Sequence, residues 1–210
     1  MRKTTTPTRY RQDLKDKIVR VAMNEFKSRG VRDVKMDDIA NALSISKRTL
    51  YEVFDNKEEL LICGIKLDEE RRKEMMTSFV VKNNPGVMDV ILKFYHAQME
   101  AISSINPVFF SDISKYDRVR AYLQELHAGR QESALEFFRR GVGEGYFRAD
   151  VDYVIVSRMS NATINYVMES QMYKEYDLKY IFRNIVLVFL RGFCTLKGQE
   201  IIDKKLNEKT

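Results

Sequence analysis

The sequence predicts an all-α protein in which a small N-terminal helical unit precedes a larger helical region. Three observations carry this. Only 9 Gly and 3 Pro are spread over 210 residues, and few stretches alternate apolar and polar residues as strands do. Apolar residues instead recur at helical spacing between clear start and stop signals. Charge is also uneven: residues 1–50 hold 13 Lys and Arg against 6 Asp and Glu, and the rest of the chain holds 23 against 24. The basic excess of a chain of net charge +6 thus lies in its first quarter, which favours a polyanion partner for that part alone.

Each element can be justified in order. Residues 1–11 read as a flexible basic arm. From Gln12, Leu14, Ile18, Val21, Ala22 and Phe26 follow helical spacing, and Gly30 is placed to end the helix in a left-handed cap. A second helix is expected over Asp37–Leu43, where Asp37 and Asp38 suit the positive end of the helix dipole. Ser44-Ile45-Ser46 makes a turn, and Ser46 is a good N-cap for a third helix from Lys47 to Phe54. Asn56, with Glu59 three residues on, resembles a capping box opening a fourth helix that runs to Phe79. The run Asn83-Asn84-Pro85-Gly86 is the strongest linker signal. Longer helices are expected over Val87–Ile105, Asp117–Gly141, Val151–Gln171 and Leu178–Ile202, with a short piece at Val108–Ile113 and a glycine-rich turn at 141–152.

Residues 37–54 meet the requirements of a helix-turn-helix: a brace, a tight turn, and a second helix offering its N-terminal residues to bases and phosphates. Ile39, Ala40, Leu43, Ile45, Leu50 and Phe54 can form the seam between the helices. Ser46, Lys47, Arg48 and Thr49 then project from the tip. Arg48 can take guanine in a bidentate contact or pair with a phosphate, whereas Lys47 is a point charge suited to phosphate. Thr49 can meet a thymine methyl or a phosphate oxygen, and the hydroxyl of Tyr51 can reach the backbone. Lys57 opens a helix where a cation opposes the dipole, which makes sense if a phosphate approaches there. The competing reading is a solvated, charged surface turn.

Other classes find little support. His96, His127, Cys63 and Cys194 show no metal-ligand spacing, and neither a phosphate-cradling glycine loop nor a GxSxG elbow occurs. The expectation is therefore a non-enzyme with no cofactor and no metal. The cysteines read as small buried hydrophobes. No apolar segment follows the basic N-terminus, and no apolar run approaches the ~20 residues of a membrane helix, so a cytoplasmic location away from the membrane is expected. In the last helix, Ile181, Phe182, Ile185, Phe189 and Phe193 form a heavy apolar stripe, read either as core or as half of a four-helix dimer interface.

The stretch MDDIANALSISKRTLYEVFDNKEELL, with AMNEFKSRG ending the first helix, resembles the DNA-binding region of the TetR family of bacterial transcriptional regulators. The resemblance covers residues 14–62. It implies a DNA-binding domain over residues 1–56, linked by the fourth helix to an effector-binding and dimerisation domain over residues 57–210. It implies a symmetric homodimer on a double-stranded DNA operator, with half-site centres about 34–36 Å apart or somewhat wider. It also implies a regulator, most often a repressor, released by a small apolar or amphipathic effector. The alternative is an effector-independent DNA-associated protein of the same fold. Where the family commonly has a small hydroxyl residue opening its second helix, this chain has Lys35, which substitutes an ionic phosphate contact. Ser44 and Arg48 stand where the family often has glycine, and Val53 where it usually has an aromatic. Candidates for an effector pocket are Phe94, Met99, Phe109, Phe110, Tyr116, Phe137, Met159 and Tyr166, each of which can equally be ordinary core.

Overall fold

The computed structural model describes residues 9–207. Most of the expected basic arm lies outside them, and residues 9–11 already form the first turn of a helix. Among the described residues there are ten α-helices: α1 (Arg9–Arg29), α2 (Met36–Ala42), α3 (Lys47–Tyr51), α4 (Lys57–Asn83), α5 (Val87–Ser103), α6 (Pro107–Ile113), α7 (Asp117–Gly143), α8 (Tyr153–Glu169), α9 (Leu178–Phe193) and α10 (Leu196–Asn207). A single 3₁₀ turn, Met172–Lys174, joins α8 to α9. No helix among the described residues is long and apolar enough to cross a membrane.

The chain forms two compact units. Residues 9–72 and 105–121 make the first; residues 73–104 and 122–207 make the second. The expected division at residues 56 and 57 therefore falls inside the first unit. The first half of α4 and all of α6 join the N-terminal helices.

In the first unit, α1 buries Ile18, Val19, Ala22, Met23 and Phe26, and α4 buries Leu60, Leu61 and Ile65. Gly64 lets α4 lie close to α1, since a Cβ there would overlap the side chain of Met23. Gly30 ends α1 as expected. Its φ is +87°, its N–H donates to the Phe26 carbonyl at 2.9 Å, and Val108 of α6 lies where a Cβ would go. α6 docks on this corner through polar contacts. The Asn106 N–H donates to the Lys27 carbonyl at 2.7 Å, and its side-chain amide donates to the Ser28 carbonyl at 3.2 Å. Asp112, only 2% exposed, accepts from the backbone N–H of Arg32 at 2.9 Å.

The second unit has an aromatic centre. Phe138 stacks on Tyr153 with ring centroids 4.4 Å apart, and Phe193 meets Phe138, Phe147 and Tyr153 edge-on. Val87, Met88, Leu190, Cys194 and Ile202 complete this core. Both cysteines are free thiols, and burial pushes the Cys194 thiol up to about 11. The helix expected over Leu178–Ile202 is broken after Phe193. There Cys194 turns extended and pairs with Phe147: the Arg148 N–H donates to the Phe193 carbonyl and the Thr195 N–H to the Tyr146 carbonyl, both at 2.9 Å. A break without proline, made by pairing with a loop some fifty residues earlier, leaves no local signal.

Candidate nucleic-acid interface

The geometry of the first unit is that of a helix-turn-helix. Ile39, Ala40, Leu43, Leu50 and Phe54 are buried and Ile45 is half-buried, as the seam requires. The turn is closed by the Ser44 N–H donating to the Asn41 carbonyl and the Ile45 N–H donating to the Ala40 carbonyl, both at 3.0 Å. Ser44 takes a φ of +53°, a left-handed conformation that costs a non-glycine residue about 1–2 kcal/mol. α3 spans Lys47–Tyr51, ending three residues before the expected Phe54.

Ser46 is the N-cap of α3. Its Oγ accepts from the Thr49 N–H at 3.0 Å and lies 2.8 Å from the Thr49 hydroxyl, so the two tip hydroxyls mainly serve the cap. Lys47 is exposed, but its ammonium lies 2.8 Å from a carboxylate oxygen of Asp37 on α2. That hydrogen bond, helped by the charge on Asp37, holds Lys47 above its ordinary pKa. Arg48 has a side chain 87% exposed, and its Nε donates to Glu52 Oε1 at 3.0 Å. Tyr51 is exposed beside them. Lys35 is exposed at the N-cap of α2, where its backbone N–H donates to Asp38 at 2.9 Å. Lys35, Lys47, Arg48 and Tyr51 thus lie on one accessible helix pair, with Ser46 and Thr49 between them.

Lys57 has a different setting. Its ammonium donates to the carbonyls of Val31 at 2.7 Å, Val34 at 2.9 Å and Arg32 at 3.4 Å, and burial pushes its pKa down. A cation at the start of α4 is there to tie the α1–α2 turn, which supplies acceptors that the sequence does not display as a set. The expected phosphate contact would have to compete with three carbonyls. Asn56 does cap α4, accepting from the Glu59 N–H at 2.9 Å, while Glu59 reaches back to the Asp55 N–H at 3.1 Å.

Three residues that sequence reasoning missed complete the site. Asp37 and Glu52 hold the tip cations, and Arg11 of α1 donates to the Glu52 carbonyl at 3.2 Å. The Arg48–Glu52 spacing of four is a readable helix pair. The Lys47–Asp37 and Arg11–Glu52 contacts needed the turn to be built first.

The eight pocket candidates are not brought together. Phe109, Phe110 and Tyr116 belong to the first unit, where Phe109 is buried and meets Phe110 edge-on. Phe137 is part of the aromatic core of the second unit, Met99 is half-buried, and Phe94, Met159 and Tyr166 are exposed. A cleft of about 280 Å³ lies instead between α7 and α8, lined by His127, Arg130, Gln131, Ser157, Arg158 and Asn161 among others, and by none of the eight. Of the five interface candidates, Ile181 and Phe193 are buried within their own chain, Phe182 stacks near Tyr95, and Ile185 and Phe189 are half-buried. The stripe at spacing four faces inward. The outer apolar residues of α8 and α9 are Ile155, Met159, Ile164, Tyr166, Tyr180 and Val188.

A braced helix pair with exposed cations on its second member, carried on an all-α scaffold, defines a DNA-binding transcriptional regulator of the helix-turn-helix class. Residues 18–62 match the family model described as bacterial regulatory proteins, tetR family. The chain belongs to the tetR family. It is 25% identical over 150 residues to the HTH-type transcriptional repressor KstR2 of Rhodococcus jostii, covering 68% of this chain and 72% of that protein. Its fold is similar to that of a transcriptional regulator from Saccharomonospora viridis in complex with choline, with a TM-score of 0.70 at 14% identity over 88% of this chain and 99% of that one. It is also similar to that of the ketosteroid transcriptional regulator KstR2 of Mycobacterium tuberculosis, with a TM-score of 0.58 at 18% identity over 91% and 97%.

Proposed function

We propose that this regulator is a repressor that binds a near-palindromic operator as a homodimer, reads it with Lys47, Arg48, Thr49 and Tyr51, and is released by a small effector. Lys35 and Ser46 add contacts to the phosphate backbone. The observation that carries this reading is the exposed tip of α3, where Arg48 and Lys47 stand on a braced helix pair. The repressor sign follows from the similarity to proteins named as repressors. The homodimer draws on the outer apolar row of α8 and α9. Selection of bound duplexes from a random-sequence pool tests the reading. A near-palindromic site should emerge, and Lys47→Ala with Arg48→Ala should abolish its preference over random duplex; an unchanged preference would refute the assignment of the tip.

The effector reading rests on the cleft between α7 and α8, whose Arg130 and Arg158 suit the anionic end of an amphipathic molecule more than a purely apolar one. A panel of fatty acids and their alcohols, scored by release of the selected duplex, separates these two chemistries. The second reading, an effector-independent regulator, draws on Phe137, which is packed into the aromatic core and away from that cleft. Release by no member of a broad small-molecule panel favours it.

A further inference from the structure

We infer that Glu52 is a specificity-determining residue: it positions Arg48 so that the terminal edge of the guanidinium reads a guanine in each half-site, and its charge opposes binding to random DNA. The inference rests on the reading of α3 as the DNA-contacting helix.

A guanidinium can meet guanine O6 and N7 through its Nε side or through its two terminal nitrogens. Here the Nε side is occupied by Glu52 Oε1 at 3.0 Å, which leaves the terminal pair as the reading edge. Glu52 is itself well anchored. It is the C-cap of α3, its N–H donates to the Arg48 carbonyl at 2.9 Å, and its carbonyl accepts from Arg11 of α1 at 3.2 Å. The carboxylate therefore comes from backbone fixed on two sides. Lys47 offers a contrast. Its pairing with Asp37 neutralises a charge but selects no edge, because an ammonium has none.

The side chains of Arg48 and Glu52 are 87% and 59% exposed, so the pair contributes little to stability. Its consequence lies in binding. On random duplex the carboxylate faces phosphates and repels them. On the correct site the bidentate contact with guanine outweighs that repulsion. A carboxylate beside the reading arginine thus lowers non-specific affinity and sharpens base choice together.

The test uses the full-length protein and a randomised duplex pool. Wild type should select a guanine in each half-site, preferred by about tenfold or more, and Arg48→Ala should erase that preference. Glu52→Ala should lower the guanine preference by about threefold to tenfold while raising affinity for random duplex by about twofold to fivefold. Glu52→Gln keeps an oxygen for the Nε–H, so it should retain most of the preference while random-duplex affinity still rises. In the Arg48→Ala background, Glu52→Ala should cause no further loss of preference. An unaltered preference in Glu52→Ala overturns the inference, as does an equal fall in specific and random affinity, which marks a purely structural role. If wild type selects a site without an Arg48-dependent guanine, the inference fails while DNA reading stands. If it selects no sequence at all, the reading of α3 fails with it.

Discussion

The first unit buries its own apolar side chains far more completely than the second. Ile18, Ala22, Phe26, Val31, Val34, Ile39, Leu50, Leu60 and Leu61 are fully enclosed in the first, and of its described large apolar residues only Tyr10, Tyr51 and Val108 are exposed. In the second, few core residues reach full enclosure, Val87 and Ile202 among them, and Val81, Phe94, Ile155, Met159, Tyr166 and Val188 lie open. A unit of the first kind has a core that is complete within one chain. A unit of the second kind keeps apolar surface for something outside the chain, and contiguous surface of this sort marks an interaction site. The part that must hold a fixed geometry on DNA is finished; the part expected to assemble and respond is not.

The largest effect should come from opening the finished core. Phe26→Ala should cost about 3–5 kcal/mol in urea denaturation. An equivalent truncation at the open Met159 should leave protomer stability within about 0.5 kcal/mol. Equal losses at both sites would erase the contrast between the units.

The next effect should fall on assembly. Val188→Asp places a charge on the outer row of α9, and sedimentation should show a dimer dissociating at least about tenfold more readily, with helical content unchanged. An unaffected dimer would move the interface off this face.

Lys57 and Lys47 separate two kinds of basic residue in the same unit. Lys57→Met leaves several carbonyls without their donor and should destabilise the unit by about 2 kcal/mol in thermal or urea melts. It should leave the slope of log K against log salt for the selected duplex unchanged. Lys47→Ala should do the reverse, reducing that slope by about 1 with little change in stability. A lower slope in Lys57→Met would restore it to the phosphate contacts.

The smallest effect concerns the turn. Ser44→Gly removes left-handed strain and should stabilise the protein by about 1 kcal/mol, read as a rise in melting temperature. No rise would mean that the Ser44 side chain compensates for its backbone.

Legibility in the sequence followed the range of the interactions. Ser46, Asn56 and Gly30 declare helix ends because a cap acts within a few residues, and the structure places all three at those ends. The contacts that depend on distant partners were not readable. Asp112 meets the Arg32 N–H across eighty positions, and Lys57 meets carbonyls more than twenty residues back. Net charge was informative but overstated, since Lys27, Arg29, Lys47 and Arg48 each have a carboxylate within 3.0 Å. The apolar stripe of α9 told correctly that the helix is amphipathic; which row faces outward depends on Tyr95 and the aromatic core it meets.

The docking of α6 on the corner at Gly30 has a consequence for portability. The DNA-reading unit is assembled from two separate stretches of chain, so it is not a cassette that ends where the fourth helix leaves it. A chimera that transplants residues 9–72 onto another regulator would set Gly30, Ser28 and the Arg32 N–H against a foreign segment lacking Asn106, Val108 and Asp112. Recombination within such a family would succeed most easily when both stretches travel together, and DNA preference would be inherited with a short helix that lies far from the bases in sequence.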